Sequence, residues 1–166
     1  MLEIRPLSST DAGALLEFLA DPEVARWLRA AGQQGPFTRA ECEATVARKA
    51  AHWIAHGFGT SLGFSDGRCV GWSILQHSRV ACRSEVEIGW AVASDMWGRG
   101  IATALGQDAL MNATDAGFER VVAFTRPDNT ASRRVMEKLG LRYERDFTHA
   151  GHEHVLYATQ VPDPTA

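Results

Sequence analysis

The sequence predicts one α/β (α+β) domain on a mixed, mostly antiparallel sheet of six to seven strands, flanked by about four helices. Three observations carry this. After a short strand at 2–7 the apolar period is helical to about residue 57 and strand-like to about 92, and helices and strands alternate thereafter. Ser65-Asp66-Gly67 joins two β-rich runs, and Asp-Gly between such runs signals a tight hairpin. No repeat, linker or low-complexity segment interrupts the 166 residues, a length that suits one core. The domain is expected over residues 1–160, with 161–166 as a frayed tail.

Each element has a local cause. Leu2 to Leu7 alternates and reads as an edge strand with Pro6 near its end. Ser9 to Ala20 places Leu15, Phe18 and Leu19 on one helical face. Asp21-Pro22-Glu23 supplies a cap, a first-turn proline and an early acid for a short helix carrying Val24, Trp27 and Leu28. Ala31 to Phe37 is a loop. Thr38 and Glu41 form a capping box, and the helix they open runs Cys42, Val46, Lys49, Ala50 and Trp53 along one stripe before Gly57 stops it. Strands follow over Phe58–Phe64, Arg68–His77 and Ser84–Val92. A helix from about Gly98 to Ala116, a strand over Arg120–Thr125, a helix over Asn129–Leu139, and two strands over Leu141–Thr148 and Gly151–Thr159 complete the chain.

Composition narrows the function classes. A net charge of −3 argues against a nucleic-acid partner, which favours a basic face. The start, MLEIRPLSST, lacks a basic segment followed by an apolar run, and no stretch approaches a membrane span, so a cytoplasmic protein is expected. Cys42, Cys69 and Cys82 show no paired spacing and read as buried small apolar residues in a reducing compartment.

The run DMWGRGIATAL (95–105) lies between a strand and a helix. It lacks the lysine and hydroxyl residue of a P-loop, and Thr103 occupies the third glycine slot of the dinucleotide fingerprint. What remains is a helix start, whose free N–H groups and positive dipole end suit an anion. Gly98 and Gly100 let the backbone approach a ligand and Arg99 adds a charge-assisted donor. On this segment alone, a plain turn is an equal alternative.

Three segments together resemble the GNAT acetyltransferase superfamily: E-I-G-W-A-V (87–92), W-G-R-G-I-A-T (97–103) and N-x-x-S-x-R-V-M-E-K-L-G (129–140). The general signature, Q/R-x-x-G-x-G/A, has Trp97 in its first slot. Tryptophan there, with A-H-W (51–53) and G-F-G (57–59) upstream, is similar to the RimJ/RimL-like N-acetyltransferase branch. The resemblance implies a sheet splayed between its fourth and fifth strands, with acetyl-CoA in the cleft. Backbone groups of Trp90, Ala91 and Val92 would pair with the pantetheine arm, and the N–H groups of Gly98, Arg99, Gly100, Ile101, Ala102 and Thr103 would hold the pyrophosphate. Asn129 would sit near the pantetheine or the reacting end, and Ser132 near the thiol. A peptide-like arm suits a strand edge, and a developing oxyanion suits a strand N–H.

Proton chemistry falls to few groups. Glu85 and Glu87 share a strand face opposite Val86 and Ile88. Either can accept an amine proton, and either can be a solvated or ion-paired carboxylate. The superfamily's tyrosine acid, seven residues after the asparagine, is here Met136, which cannot protonate a thiolate. The branch therefore points to Ser132, with a surface serine as the plain alternative. Asn129 can equally cap its helix. Of Arg133 and Arg134, one is expected on the surface and one on a phosphate or an acid. His149, His152 and His154 lack a third ligand at zinc spacing, so no metal site is expected. Trp27, Trp53 and Trp72 read as core, with Trp27 and the loop after it as an alternative lining of the acceptor pocket.

The resulting expectation is N-acetyl transfer from acetyl-CoA to a primary amine, a protein N-terminus or a small molecule, by direct attack in a ternary complex. Two alternatives stand beside it: a non-catalytic acyl-CoA sensor or scaffold, and an enzyme using another acyl-CoA. Homodimerisation is left open.

Overall fold

The computed structural model describes residues 1–159, so the expected tail at 161–166 lies outside them. The order is β1 (Leu2–Pro6), α1 (Ala12–Leu19), α2 (Pro22–Leu28), α3 (Arg39–His56), β2 (Ser61–Ser65), β3 (Arg68–Val80), β4 (Arg83–Val92), a 3₁₀ turn (Ser94–Met96), α4 (Ile101–Asp115), β5 (Val122–Thr125), α5 (Thr130–Lys138), β6 (Arg142–His149) and β7 (His152–Ala158). One seven-stranded sheet runs β1-β2-β3-β4-β5-β7-β6. Every pairing is antiparallel except β4 with β5.

The two halves of the sheet barely touch. β4 and β5 meet at a single register pair, Glu87 with Val122. Beyond it, Ile88 to Val92 keep β3 on one side and have no ladder partner on the other. This is the splay that the resemblance implies.

Helices cover both faces. Leu15, Phe18 and Leu19 of α1, Val24 of α2 and Cys42 and Val46 of α3 pack with Leu62 and Trp72 on one face. Ala109 and Ala113 of α4 and Met136 of α5 pack with Leu75, Ile88, Ala123 and Tyr157 on the other. Thr38 and Glu41 make the full capping box, and Gly57 ends α3 with φ at 72°. Asp66 (φ 50°) and Gly67 (φ 79°) form the β2–β3 turn, as Asp-Gly predicts.

Several local expectations need correction. β3 extends to Val80, because the β3–β4 hairpin stays paired to its tip. Cys82 sits in that tip, exposed, unlike buried Cys42 and Cys69. Leu28 ends α2 on the exposed side. Trp27 is half-buried and lies between two guanidinium groups, those of Arg26 and Arg126, rather than in the core.

Candidate active site

The segment after β4 is held by three ties. The Trp97 indole N–H donates to the Val92 carbonyl at 2.8 Å, folding the loop back onto the strand end. Asp21, which caps α2 through the Glu23 N–H, also accepts from the Ser94 N–H and hydroxyl. Asp95 pairs with Arg68 through both carboxylate oxygens at 2.8 and 2.9 Å. The arginine holds the Asp95 carboxyl below the usual range.

From this frame Gly98 and Gly100 emerge with φ near 75° and 79°, so α4 starts at Ile101, three residues later than expected. A Cβ at either glycine would meet nothing within 4 Å. The first turn of α4 carries no acid and Gly100 offers no side-chain cap. Among the described residues, the N–H groups of Gly98, Arg99, Gly100, Ile101, Ala102 and Thr103 have no acceptor. Arg99 is exposed beside them. Six successive free donors at the positive end of a 15-residue helix form an anion cradle.

Next to the cradle lies the splayed part of β4. The Ala93 N–H donates to the Val70 carbonyl at 2.8 Å. Alternation along an antiparallel pair then turns the backbone groups of Ala91 toward Trp72 on β3. Those of Trp90 and Val92 face the open side. Of the three residues expected to pair with the pantetheine arm, two thus present free backbone. The Val92 carbonyl is taken by Trp97, leaving its N–H.

The two carboxylates have different surroundings. Glu85 is gripped by Arg120, which donates to both its oxygens at 3.1 and 3.2 Å and also pairs with Glu144 on β6. Its side chain is 8% exposed. Glu85 therefore takes the ion-pair reading, and its oxygens are engaged. Glu87 meets no arginine. It accepts from the Gln76 amide at 3.0 Å and is half-buried. Lys49 of α3 lies on the same face. Its ammonium donates to the Thr60 hydroxyl at 3.1 Å and stands 4.9 Å from the Trp72 ring centroid. Burial lowers its pKa to about 8, against a smaller opposing pull from Glu87.

Asn129 caps α5 by accepting the Ser132 N–H at 3.2 Å. The Ser132 hydroxyl makes no hydrogen bond among the described residues and is half-buried. Met136 is fully buried between α5 and the sheet, where it packs and does no proton chemistry. Arg133 donates to the Tyr157 hydroxyl and the Pro127 carbonyl, and Arg134 is exposed. Among the described residues no group of His, Cys, Asp or Glu is arranged to hold a metal ion. His149, His152 and His154 instead join Phe124 and Phe147 in a ring cluster.

The chain belongs to the acetyltransferase (GNAT) domain family, whose model matches residues 1–142. It is 30% identical over 159 residues to an FsC-acetyl coenzyme A-N(2)-transacetylase of Aspergillus fumigatus, covering 88% of this chain and 64% of that relative's length. A putative acetyltransferase from Salmonella typhimurium, solved with its cofactor acetyl-CoA, is 18% identical with a TM-score of 0.76, covering 99% of this chain and 96% of that one. A ribosomal-protein-S5-alanine acetyltransferase from Vibrio fischeri is 17% identical with a TM-score of 0.78, covering 98% and 94%. At these identities the solved structures speak to the fold alone.

Proposed function

We propose that this chain is an acetyl-CoA-dependent N-acetyltransferase of the RimJ/RimL-like type, acting on a primary amine by direct attack in a ternary complex. The observation that carries this is the run of free N–H groups from Gly98 to Thr103, set against the unpaired edge of β4. The cradle fits a pyrophosphate and the strand edge fits a peptide-like arm. When bound, the co-substrate supplies an activated acyl thioester. The N–H groups of Trp90 and Val92 then point to where a carbonyl oxygen gains charge.

In this reading Glu87 accepts the amine proton, directly or through water. Gln76 fixes its carboxylate and leaves one oxygen free. Ser132 supplies the proton for the departing thiolate. Glu85 holds the two halves of the sheet together through Arg120. Asn129 sets the start of α5 and so the position of Ser132. The exposed thiol of Cys82 suits a reducing, cytoplasmic setting.

The test is thiol release from acetyl-CoA across a panel of primary amines. Turnover with at least one amine is expected. Tight acetyl-CoA binding with no turnover on any amine would favour a sensor or scaffold. Faster turnover with another acyl-CoA would reassign the donor.

A further inference from the structure

Arg126 follows the last residue of β5, at the mouth of the splay. On β5, Val122 and Phe124 pack with Val80 and Leu156, on the face that carries Gln76 and Glu87. Arg126 continues that alternation and reaches Trp27 of α2, which covers the same face. Its guanidinium lies 4.5 Å from the Trp27 ring centroid, and Nη2 donates to the Arg26 carbonyl at 2.9 Å. The group is thus held in one plane and one place.

Its charge has no counterpart. Arg5, Arg26, Arg29, Arg68 and Arg120 each pair with a carboxylate, and Arg126 pairs with none among the described residues. Its Nε is closed off without an acceptor, and Nη1 donates to no group among the described residues. Next along the β5–β7 register stands His154, on which Arg126 acts as a like charge. A fixed guanidinium with Nη1 unused and an imidazole beside it is suited to an anion.

The walls of the mouth point the same way. The Ala31 N–H donates to the Ala150 carbonyl at 2.9 Å, so the loop after α2 meets the β6–β7 turn above the cleft. On the same face of the sheet, Phe124, Phe147 and His149 are half-buried and in ring contact. With Glu87 opposite Val122, Arg126 stands four residues further along the chain, just past β5. That is roughly 13 Å of extended chain between the two backbones.

We infer that Arg126 binds the carboxylate of the acceptor, and that the acceptor is a small amine carrying one: an amino acid or an amino-acid-like compound. This rests on the acetyl-transfer reading above. The amine would stand at Glu87 and the carboxylate at Arg126, with the aromatic wall beside its side chain.

The experiment uses the full chain with acetyl-CoA and two matched sets of acceptors, free amino acids and their carboxamides. Thiol release gives kcat/KM for each pair, and saturation-transfer NMR with CoA present reads acceptor binding without turnover. The wild type should favour the best free acid over its carboxamide by about 10- to 100-fold, the range of a charge-assisted contact. In Arg126→Gln that ratio should collapse to within about threefold, and Arg126→Lys, which keeps the charge, should retain part of it. Melting curves establish that both variants fold. A ratio unchanged in Arg126→Gln, no preference for any acid in the wild type, or a rise in the acetyl-CoA KM alone would overturn the assignment. Turnover of carboxamides without acid preference would overturn Arg126 and keep the acetyl-transfer reading. Binding of acids that Arg126→Gln abolishes, with no turnover, would keep Arg126 and overturn the reading.

Discussion

Lys49→Met should stabilise the protein. The Lys49 side chain is almost fully buried, and its pKa falls from 10.5 to about 8. At about 1.4 kcal/mol per unit, the folded state carries a cost of about 3 kcal/mol for keeping this ammonium charged at neutral pH. Methionine fills a similar volume without a charge. Against the gain stands the Thr60 hydroxyl, which loses its 3.1 Å donor at a cost of about 1 kcal/mol. The cation over Trp72 is lost as well, worth about 0.5–1 kcal/mol. The net expectation at pH 7 is a gain of about 1–2 kcal/mol, or on the order of 0.5–1 M in the urea midpoint.

The pH dependence gives this a second, sharper edge. Between about 8 and 10.5 the unfolded lysine holds a proton that the folded one has released. Wild-type stability from this group therefore rises with pH across that window, and the advantage of Lys49→Met shrinks. The buried Cys69 thiol, pushed up to about 11, works in the opposite direction at alkaline pH. It does so in both proteins, so it cancels in their difference. Urea denaturation of both proteins at pH 7, 8, 9 and 10 reads the difference directly. A variant less stable than wild type at pH 7, or a gap that does not narrow with pH, would refute the reasoning.

Other predictions concern the cleft. Gly100→Glu should abolish acetyl-CoA binding by calorimetry, because φ near 79° disfavours any side chain and the new charge faces the cradle; retained affinity would remove the cradle assignment. Ser132→Ala should lower kcat by about 10-fold or more with a small change in acetyl-CoA affinity, and an unchanged rate would end its role as proton donor. Glu87→Gln should move the activity profile to higher pH, since the amine must then lose its proton unaided. An unmoved profile would argue against Glu87 as base.

Much of the fold was legible because its signals are local. The capping box at Thr38 and Glu41, the stop at Gly57 and the Asp66-Gly67 turn need no partner to form. The apolar stripe of α3 even placed Lys49 inward, although its burial beside Trp72 is a tertiary fact. The cradle was legible as a run of residue types, but its start was misplaced. Gly98 and Gly100 hold the chain outside the helix, and a one-dimensional pattern gives no φ.

What failed was mostly long-range. Glu85 and Arg120 are 35 residues apart, and nothing near either one announces the pair. The backbone parity that turns Ala91 to β3 depends on the pairing register, so three adjacent residues looked equivalent. Cys82 followed the composition rule for cysteines but sits at the tip of a hairpin that outran its predicted end. Arg126 gave no motif at all. Its significance lies in the carboxylate it lacks and in Trp27, about a hundred residues upstream.

The most direct test of the central claim is an amide-resolved NMR titration with acetyl-CoA. The N–H resonances of Gly98 to Thr103 should shift together and saturate with the bound fraction, with those of Trp90 and Val92 following and that of Ala91 moving less. A saturable binding isotherm that leaves the Gly98–Thr103 amides unmoved would contradict the account.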